Sequence, residues 1–209
     1  YRLFVGSGDP VPLEGVGYRL LDNVIEWCQE AGLYVILDMH AAPGGQTGSV
    51  IDDSWGYPYV YEEGPSQDLT VRLWRKLAER YKDAPTVLGY DLLNEPIAHY
   101  LDTKALNPKL EPLYKRITAA IRDVDTNHLI IVEGTHWGSD FSVFGPPFDD
   151  KLVYSFHKYW VTPTQEAIQT YLTFRDRYNV PLFMGEAGEA DNDWIKSMRS
   201  LLEAHDIGW

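Results

Sequence analysis

Cysteine is almost absent from this sequence. Cys28 is the single cysteine in 209 residues, so no internal disulfide can stabilise the fold. No apolar run reaches the ~18 residues of a membrane-spanning helix, and we expect no membrane partner. The first five residues have neither the basic region nor the apolar stretch of a signal peptide, so no signal peptide is predicted in this chain.

Positive charge is also scarce. Lysine and arginine number 18 against 31 aspartates and glutamates, which gives a formal net charge of −13. This negative field would repel a phosphate backbone, so nucleic acid is excluded as an expected partner, whereas a neutral polymer is not. Aromatic residues are abundant by contrast, with seven tryptophans and 14 tyrosines. Such rings serve both as core residues and as platforms for sugar rings.

Apolar, β-rich runs alternate with amphipathic runs along the chain. Strands are predicted at residues 1–5, 33–39, 87–93, 128–133, 152–159 and 180–185, and another is predicted to start at Ile207. Between them apolar side chains recur at helical spacing, and further helices are predicted over residues 165–177 and 193–205. Asn107 followed by Pro108 is typical of a helix N-terminus, so a helix is predicted to begin there.

This alternation predicts a single α/β domain over residues 1–209, built on parallel strands. Such a sheet could close into a (β/α)8 TIM barrel or remain open and doubly wound. No Gly-x-Gly-x-x-Gly motif follows the first strand, which weakens the dinucleotide-binding form of the open sheet. Because barrels collect their functional residues at the carboxyl ends of strands, the residues at those ends decide between the two closures.

Five successive predicted strands end in polar or aromatic groups. These ends are residues 38–40, 94–96, 133–137, 157–159 and 185–186. Core packing does not explain polar groups at every one of these positions. The pattern therefore favours the barrel, with the five ends arranged as a ring around one pocket.

Among the residues at these strand ends are Glu95 and Glu186. Glycoside hydrolysis needs two carboxyl groups that flank one bond. One protonates the leaving oxygen, and the other attacks the anomeric carbon or activates water. Suitable neighbours exist: Asn94 could bind a sugar hydroxyl, Tyr159 could donate to a carboxylate, and Arg2 could hold the nucleophile ionised. The pair predicts a glycosidase site.

An ordered set of motifs resembles a known family. The motifs are Leu-Asp-Met-His, Leu-Asn-Glu-Pro, Phe-His-Lys-Tyr, Met-Gly-Glu and Gly-Trp, which end at His40, Pro96, Tyr159, Glu186 and Trp209. In this order, and over nearly the whole chain, they resemble glycoside hydrolase family 5. The resemblance implies a retaining (β/α)8 hydrolase with no catalytic metal or other cofactor. It also implies that the acid/base and the nucleophile lie on the fourth and seventh barrel strands.

The resemblance assigns the chemistry to Glu95 as general acid/base and Glu186 as nucleophile, with Arg2 supporting the nucleophile. Contacts with the substrate are expected from a further set of polar and aromatic side chains. These are His40, Asn94, His157, Tyr159, Trp209, Trp137 and Trp55. The last two are candidates from their loops rather than from a family motif, and packing within the loop is an equal alternative for both. Trp55 lies in the long segment 40–65, a length of connection that is often functional.

The chain is short for this fold, since a typical barrel has about 250 residues. If residues 1–5 form the second barrel strand, the first strand is missing and residues 207–209 only begin the eighth. The barrel is therefore predicted to be truncated at both places. Because an open barrel exposes two sheet edges, we expect low stability of the chain alone or an oligomer that completes the barrel.

The expected substrate is a β-glucan polysaccharide or oligosaccharide, cleaved by an endo-β-1,4-glucanase. An exo-acting β-glucanase or a mannanase of the same family is the alternative, since Ala-Ala-Pro-Gly-Gly-Gln at 41–46 resembles exo-acting members. A truncated, inactive carbohydrate-binding homologue is a third interpretation. A metallohydrolase using His40, His136 and His157 is disfavoured, because no tight metal-ligand spacing is present. The substrate class implies a secreted or periplasmic location.

Overall fold

The computed structural model describes residues 15–209, in which helices and strands alternate. The strands are β1 Val35–Asp38, β2 Val87–Asp91, β3 Leu129–Glu133, β4 Leu152–Tyr159 and β5 Leu182–Gly188. The helices are α1 Val16–Glu30, α2 Pro65–Tyr81, α3 Thr103–Arg122, the single turn α4 Thr135–Gly138, α5 Gln165–Tyr178 and α6 Asn192–Ala204. These elements confirm each strand predicted between residues 33 and 185. The strand predicted at 1–5, with Arg2, lies outside the described residues.

All five strands are parallel, and their order in the sheet is their order in the chain. A doubly wound sheet reverses its strand order at a switch point, and no such reversal occurs within residues 15–209. The strands thus form a continuous wall of a (β/α)8 barrel rather than an open sheet. After α6 the chain returns beside β5, where the backbone N–H of Met184 donates to the oxygen of Gly208 at 2.8 Å.

The core lies between the outer face of this wall and the helices. Trp74 of α2 is 1% exposed, and its indole N–H donates to the backbone oxygen of Leu92, just beyond β2, at 3.0 Å. Phe156 of β4 stacks on Tyr171 of α5 with ring centroids 4.1 Å apart. These contacts hold the strand ends in place against the helices. No helix within the described part of the chain is long and apolar enough to cross a membrane.

Helix α3 begins earlier than its sequence pattern indicates. The side chain of Asp102 caps the first turn, and Pro108 and Pro112 both lie inside the helix. The prediction that a helix begins at Asn107 and Pro108 is therefore wrong. An interior proline costs a helix ~3 kcal/mol, but the added first turn buries Leu106. Burial of a leucine contributes ~1.5–3 kcal/mol, and with the Asp102 cap it offsets much of that cost.

A β-bulge at Gly185 sets the direction of the side chain that follows it. Met184 pairs with Phe156, but Glu186 rather than Gly185 pairs with His157. Strict alternation along β5 would place Met184 and Glu186 on the same face. The extra residue moves Glu186 to the opposite face, beside His157 and away from the helices. The bulge thus turns this glutamate from the core side of the sheet to the inner side.

Candidate active site

Glu95 and Glu186 meet at the carboxyl end of the sheet. One carboxylate oxygen of each, together with a ring nitrogen of His157, lie within 4.8 Å of one another. Glu95 follows β2 and Glu186 lies in β5, so the two glutamates are three strands apart, as the family pattern implies. Their side chains are 14% and 34% exposed. Both carboxylates are therefore fixed by the fold and still open to a ligand.

His157 lies between the two carboxylates, with its side chain 2% exposed. Its Nδ1 is 3.1 Å from Glu95 Oε1 and 3.7 Å from Glu186 Oε2, while its Nε2 is 3.3 Å from Glu133 Oε1. Burial alone would lower the pKa of His157, but the hydrogen bonds with Glu133 and Glu95 raise it to about 10. The ring is therefore an imidazolium at neutral pH, with a carboxylate oxygen facing each nitrogen.

Tyr159 donates its hydroxyl hydrogen to Glu186 Oε2 at 2.7 Å. Burial raises the pKa of Tyr159, and the hydrogen bond to Glu186 raises it further, so the hydroxyl remains a donor over the whole working pH range. His157 and Tyr159 thus share one face of β4, as their spacing predicts. His40 similarly faces Asp38, with Nδ1 2.8 Å from Oδ2, and this bond raises the pKa of His40.

Asn94 is held beside Glu95 with a free donor. Its backbone N–H donates to the oxygen of Met39 at 3.2 Å, and the residue is 2% exposed. Its side-chain Nδ2 is buried without a hydrogen-bond partner among the described residues. A buried unsatisfied donor costs ~1–3 kcal/mol. The amide is therefore a group that gains from a hydroxyl bound beside Glu95.

Trp137 belongs to an aromatic cluster on the Glu95 side of the site, formed with His99 and Tyr100. Its indole N–H donates to His99 Nδ1 at 2.9 Å, and its ring centroid is 6.2 Å from that of Tyr100. The backbone N–H of His136 also donates to the oxygen of Ile97 at 2.9 Å. This hydrogen bond connects the segment after β3 to the segment after β2. The aromatic cluster therefore lies next to the residues that follow Glu95 in the chain.

The other two tryptophans of the predicted set are on the surface. Trp55 is 95% exposed in the segment after β1. Trp209 is 58% exposed and has the guanidinium of Arg199 5.9 Å from its ring centroid. Each presents an open aromatic face rather than a packed one.

Two buried residues at this site were given no role from the sequence, although Glu133 lies in the predicted strand end 133–137. Glu133, 1% exposed, accepts the backbone N–H of Glu95 at 2.9 Å and faces His157. Gln46, 0% exposed, donates to the backbone oxygens of His40 and Asn94 at 3.0 and 2.9 Å. A glutamate at the end of the run Leu-Ile-Ile-Val-Glu was a visible signal for Glu133. No local pattern marks Gln46, because its partner lies 48 residues away.

The three histidines suggested for a metallohydrolase do not form a ligand group within residues 15–209. Within those residues, the side chains close enough together to bind a cation are Glu95, His157 and Glu186. An imidazolium has no lone pair to donate to a metal, and His157 carries its proton up to a pKa of about 10. The donor set therefore fits paired acid–base groups better than a metal centre.

Comparisons with known proteins agree with this architecture. Residues 8–209 match the model of the cellulase family, glycosyl hydrolase family 5. A β-xylosidase of Phanerodontia chrysosporium is 34% identical over 176 residues, which cover 83% of this chain and 36% of the relative. Endoglucanase C of Acetivibrio thermocellus is 28% identical over 145 residues, covering 68% of this chain and 39% of the relative.

A solved structure gives the same result for the fold. The crystal structure of an endoglucanase of Pseudomonas stutzeri superposes with a TM-score of 0.68 at 25% identity, covering 91% of this chain and 63% of that one. The matched region spans less than two fifths of the length of the β-xylosidase and of endoglucanase C. The family match covers nearly all of the sequence, and the chain is a member of the cellulase family, glycosyl hydrolase family 5.

Proposed function

We propose that this protein is a retaining glycoside hydrolase that cleaves β-linked glucan, with Glu95 as general acid/base and Glu186 as nucleophile. The observation that carries the proposal is the short gap between their carboxylates, with oxygens within 4.8 Å of each other. Retaining enzymes hold the two carboxyl groups ~5–5.5 Å apart, whereas inverting enzymes need ~6.5–9.5 Å to admit a water molecule. The short separation is closer to the retaining spacing than to the inverting one and favours direct attack by Glu186.

The proposed reaction has two steps. Glu186 attacks the anomeric carbon while Glu95 gives its proton to the leaving oxygen, which breaks the glycosidic bond and leaves a glycosyl ester on Glu186. Glu95, now ionised, takes a proton from water as that water attacks the anomeric carbon and releases Glu186. Tyr159 holds Oε2 of Glu186 by its hydrogen bond. The other oxygen, Oε1, is thereby left to attack.

The polar side chains around the pair bind the reacting sugar in this proposal. Asn94 offers its unpartnered Nδ2 to a hydroxyl next to the anomeric carbon. His40, half-exposed and tied to Asp38, offers a second donor. His157 stabilises the negative charge that moves between the two glutamates, because its Nδ1 faces both of them. Support of the nucleophile by Arg2 stays a prediction.

The aromatic residues supply stacking surfaces. The cluster of Trp137, His99 and Tyr100 continues from the Glu95 side, so we assign it to the leaving-group sugar. Trp209 and Trp55 present exposed ring faces, which we assign to sugars farther along the chain of the substrate. Stacking of this kind is tolerant of the sugar's exact hydroxyl pattern, because a ring face packs on C–H groups. Hydroxyl selectivity then depends on the polar contacts of the loops.

Within this function, endo-β-1,4-glucanase activity is the first candidate. The relative named an endoglucanase supports it, while the relative named a β-xylosidase supports an exo-acting enzyme, as does the segment 41–46. A mannanase, or a carbohydrate-binding protein without turnover, are the other outcomes. Hydrolysis of defined β-1,4-glucan, β-1,3-glucan, mannan and xylan oligosaccharides, with sizing of the products, distinguishes all of these.

The assignment of the two glutamates is tested by Glu95→Gln and Glu186→Gln. We expect Glu95→Gln to lower kcat on a glucan by about 10²–10⁴-fold, the usual size of general acid–base catalysis. Glu186→Gln should abolish turnover on every substrate. An aryl glycoside with a good leaving group needs no proton from Glu95, so its bond cleavage should survive in Glu95→Gln alone.

Glu79→Gln is the matched control for both variants, because Glu79 is an exposed glutamate on α2. It should leave turnover unchanged. Near-native glucan hydrolysis by either catalytic-site variant would show the assignment to be wrong. If the first-turnover release of the aryl group were lost in Glu95→Gln as fully as glucan cleavage, Glu95 would not be the proton donor.

The setting of the enzyme follows from the substrate. A β-glucan polymer is too large to enter a cell, so we place the protein in a secreted or periplasmic location. We further propose that residues 1–209 act within one catalytic domain.

A further inference from the structure

Glu133 is the buried carboxylate behind the active pair. Its Oε2 accepts the backbone N–H of Glu95 at 2.9 Å, and its Oε1 faces His157 Nε2 at 3.3 Å. One carboxylate thus contacts the main chain of one predicted catalytic residue and the ring that touches both. Neither contact is required for packing a strand, because an apolar residue would fill the same place at the end of β3.

The backbone contact acts at a strained position. Glu95 has a φ of 47°, in the left-handed region that side chains other than glycine rarely adopt. Such a residue stays in place only where its surroundings hold it. The bond from its N–H to Glu133 is one such restraint, and it fixes where the Glu95 side chain starts.

The contact with His157 decides which ring nitrogen exchanges protons. A carboxylate at Nε2 favours a hydrogen on that atom in both the neutral and the charged ring, whereas Glu95, the nearer group at Nδ1, gains and loses its own proton in the proposed reaction. Nδ1, which faces Glu95 and Glu186, is then the atom at which the proton count changes. Without Glu133 the hydrogen of a neutral ring could sit on either nitrogen.

The surroundings are shaped to admit this pair. A Cβ on Gly138 would lie 2.8 Å from Glu133 Oε2, and one on Gly185 would lie 3.2 Å from His157 Nε2. The backbone of Glu133 is also held, since its oxygen accepts the hydroxyl of Tyr114 at 3.0 Å. Two glycines and a buried tyrosine thus leave room for the carboxylate and the ring and little else.

We propose that Glu133 is a positioning residue for the reaction: it keeps a proton on Nε2 of His157 and holds the backbone of Glu95, so that Nδ1 is the nitrogen that responds to the charges of Glu95 and Glu186. The proposal rests on the proposed function, since it gives the two glutamates their catalytic roles. Its consequence is electrostatic. Burial raises the pKa of Glu133, while its contacts with His157 and with the N–H of Glu95 oppose that rise, and the ionised carboxylate helps the cluster retain its protons as the pH rises.

The test is Glu133→Gln, which preserves the shape and removes the charge. A carboxylate within hydrogen-bond reach shifts the titration of its partner by about 1–3 pH units. We therefore expect the alkaline limb of the kcat/KM profile to move to lower pH by about that amount. We also expect kcat to fall about 10²-fold, the size of a 1 Å misplacement, with little change in KM. The ¹⁵N titration of the His157 ring should move to lower pH in parallel.

Two further variants separate charge from shape. Burial and the charge of Glu133 raise the pKa of Asp91 well above its usual range, so Asp91 is neutral. Asp91→Asn therefore changes a buried acid of the same site without removing a charge, and the alkaline limb should stay in place. Glu133→Asp keeps the charge, so it should return the limb toward its native position even though kcat stays low. If Glu133→Gln does not fold, Glu133→Asp tests the positioning role in its place, through its lower kcat and unchanged alkaline limb.

The results distinguish the two proposals. A His157 titration that is the same in Glu133→Gln as in the native protein overturns the positioning role, whatever the activity. An alkaline limb that moves equally in Asp91→Asn overturns it as well, because the shift would then be a general effect of altering the core. A native protein that hydrolyses no β-glycan overturns the proposed function instead, and the His157 titration is still readable without turnover.

Discussion

Replacing Gln46 by glutamate exchanges one NH₂ group for an oxygen at a position with 0% exposure. In the native protein, Nε2 of this side chain donates to the backbone oxygens of His40 and Asn94, and Oε1 accepts the N–H of Ala42 at 2.9 Å. An ionised carboxylate still accepts the N–H of Ala42. Its second oxygen, however, faces the carbonyl oxygens of His40 and Asn94. The change therefore removes two bonds and leaves two buried acceptors unpaired.

The size of the effect follows from those two acceptors. Each unpaired buried acceptor costs ~1–3 kcal/mol, so for two we expect a loss of ~2–6 kcal/mol at neutral pH. At ~2–4 °C per kcal/mol for a domain of this size, the melting temperature should fall by about 4–24 °C. The backbones of His40 and Asn94 carry the side chains proposed to bind the sugar, so kcat/KM should fall too.

The destabilisation by Gln46→Glu should depend on pH in a predictable direction. Only the protonated form of the introduced carboxyl can donate, so folding raises its pKa above the ordinary ~4.3. The variant should be least destabilised below about pH 4 and should lose stability as the pH rises through the folded-state pKa. Calorimetry of variant and native protein over this range measures the difference.

Gln165→Glu is the control, because Gln165 is exposed and its amide donates to the exposed side chain of Gln169 at 3.1 Å. It should change stability by less than ~0.5 kcal/mol at any pH. If Gln46→Glu behaved like this control, or lost stability on acidification instead, the bridging role of the buried amide would be refuted.

Two other substitutions test the site. Tyr159→Phe removes the 2.7 Å hydrogen bond to Glu186, worth ~1.5–3 kcal/mol when one partner is charged, so steady-state kcat should fall about 10–100-fold; an unchanged kcat would contradict it. Gly138→Ala and Gly32→Ala place a side chain at similar φ values of 74° and 67°, so thermal denaturation should show ~1–2 kcal/mol lost in Gly32→Ala and a larger loss in Gly138→Ala, whose Cβ would lie 2.8 Å from Glu133 Oε2. Only Gly138→Ala should also reduce kcat, because only its Cβ would meet Glu133, and equal kcat values in the two variants would argue against that contact.

The strands and helices were largely predictable because their signals are local. The run before Asn94 is apolar and β-rich, and α2 repeats its apolar residues at helical spacing, so each element carries its own pattern. The start of α3 was not predictable in the same way. The cap at Asp102 and the burial of Leu106 offset much of the cost of an interior proline, and that balance depends on packing against other elements.

In the candidate site, too, the features with a local sequence signal were predictable and those that depend on packing were not. Glu95, Glu186, His157 and Tyr159 were predictable, since each ends a recognisable strand and parallel strands bring their carboxyl ends to one edge. Their distances were not, because sequence patterns carry no information on strand register. The contact of Glu133 with His157 likewise joins two strands, β3 and β4, and depends on their register. The roles of these residues in turnover stay predictions until the variants are measured.

The bulge at Gly185 has a consequence for how this protein can change. Substitutions along β5 change the identity of a side chain. The face of the sheet on which Glu186 emerges depends instead on the extra residue at the bulge. The extra residue supplies this offset: if Gly185 were paired regularly, Glu186 would emerge on the same face as Met184, in the helix layer. Side chains along β5 can therefore be exchanged as long as the bulge is retained, and sequence identity along the strand is a poor guide to whether Glu186 still reaches the inner side.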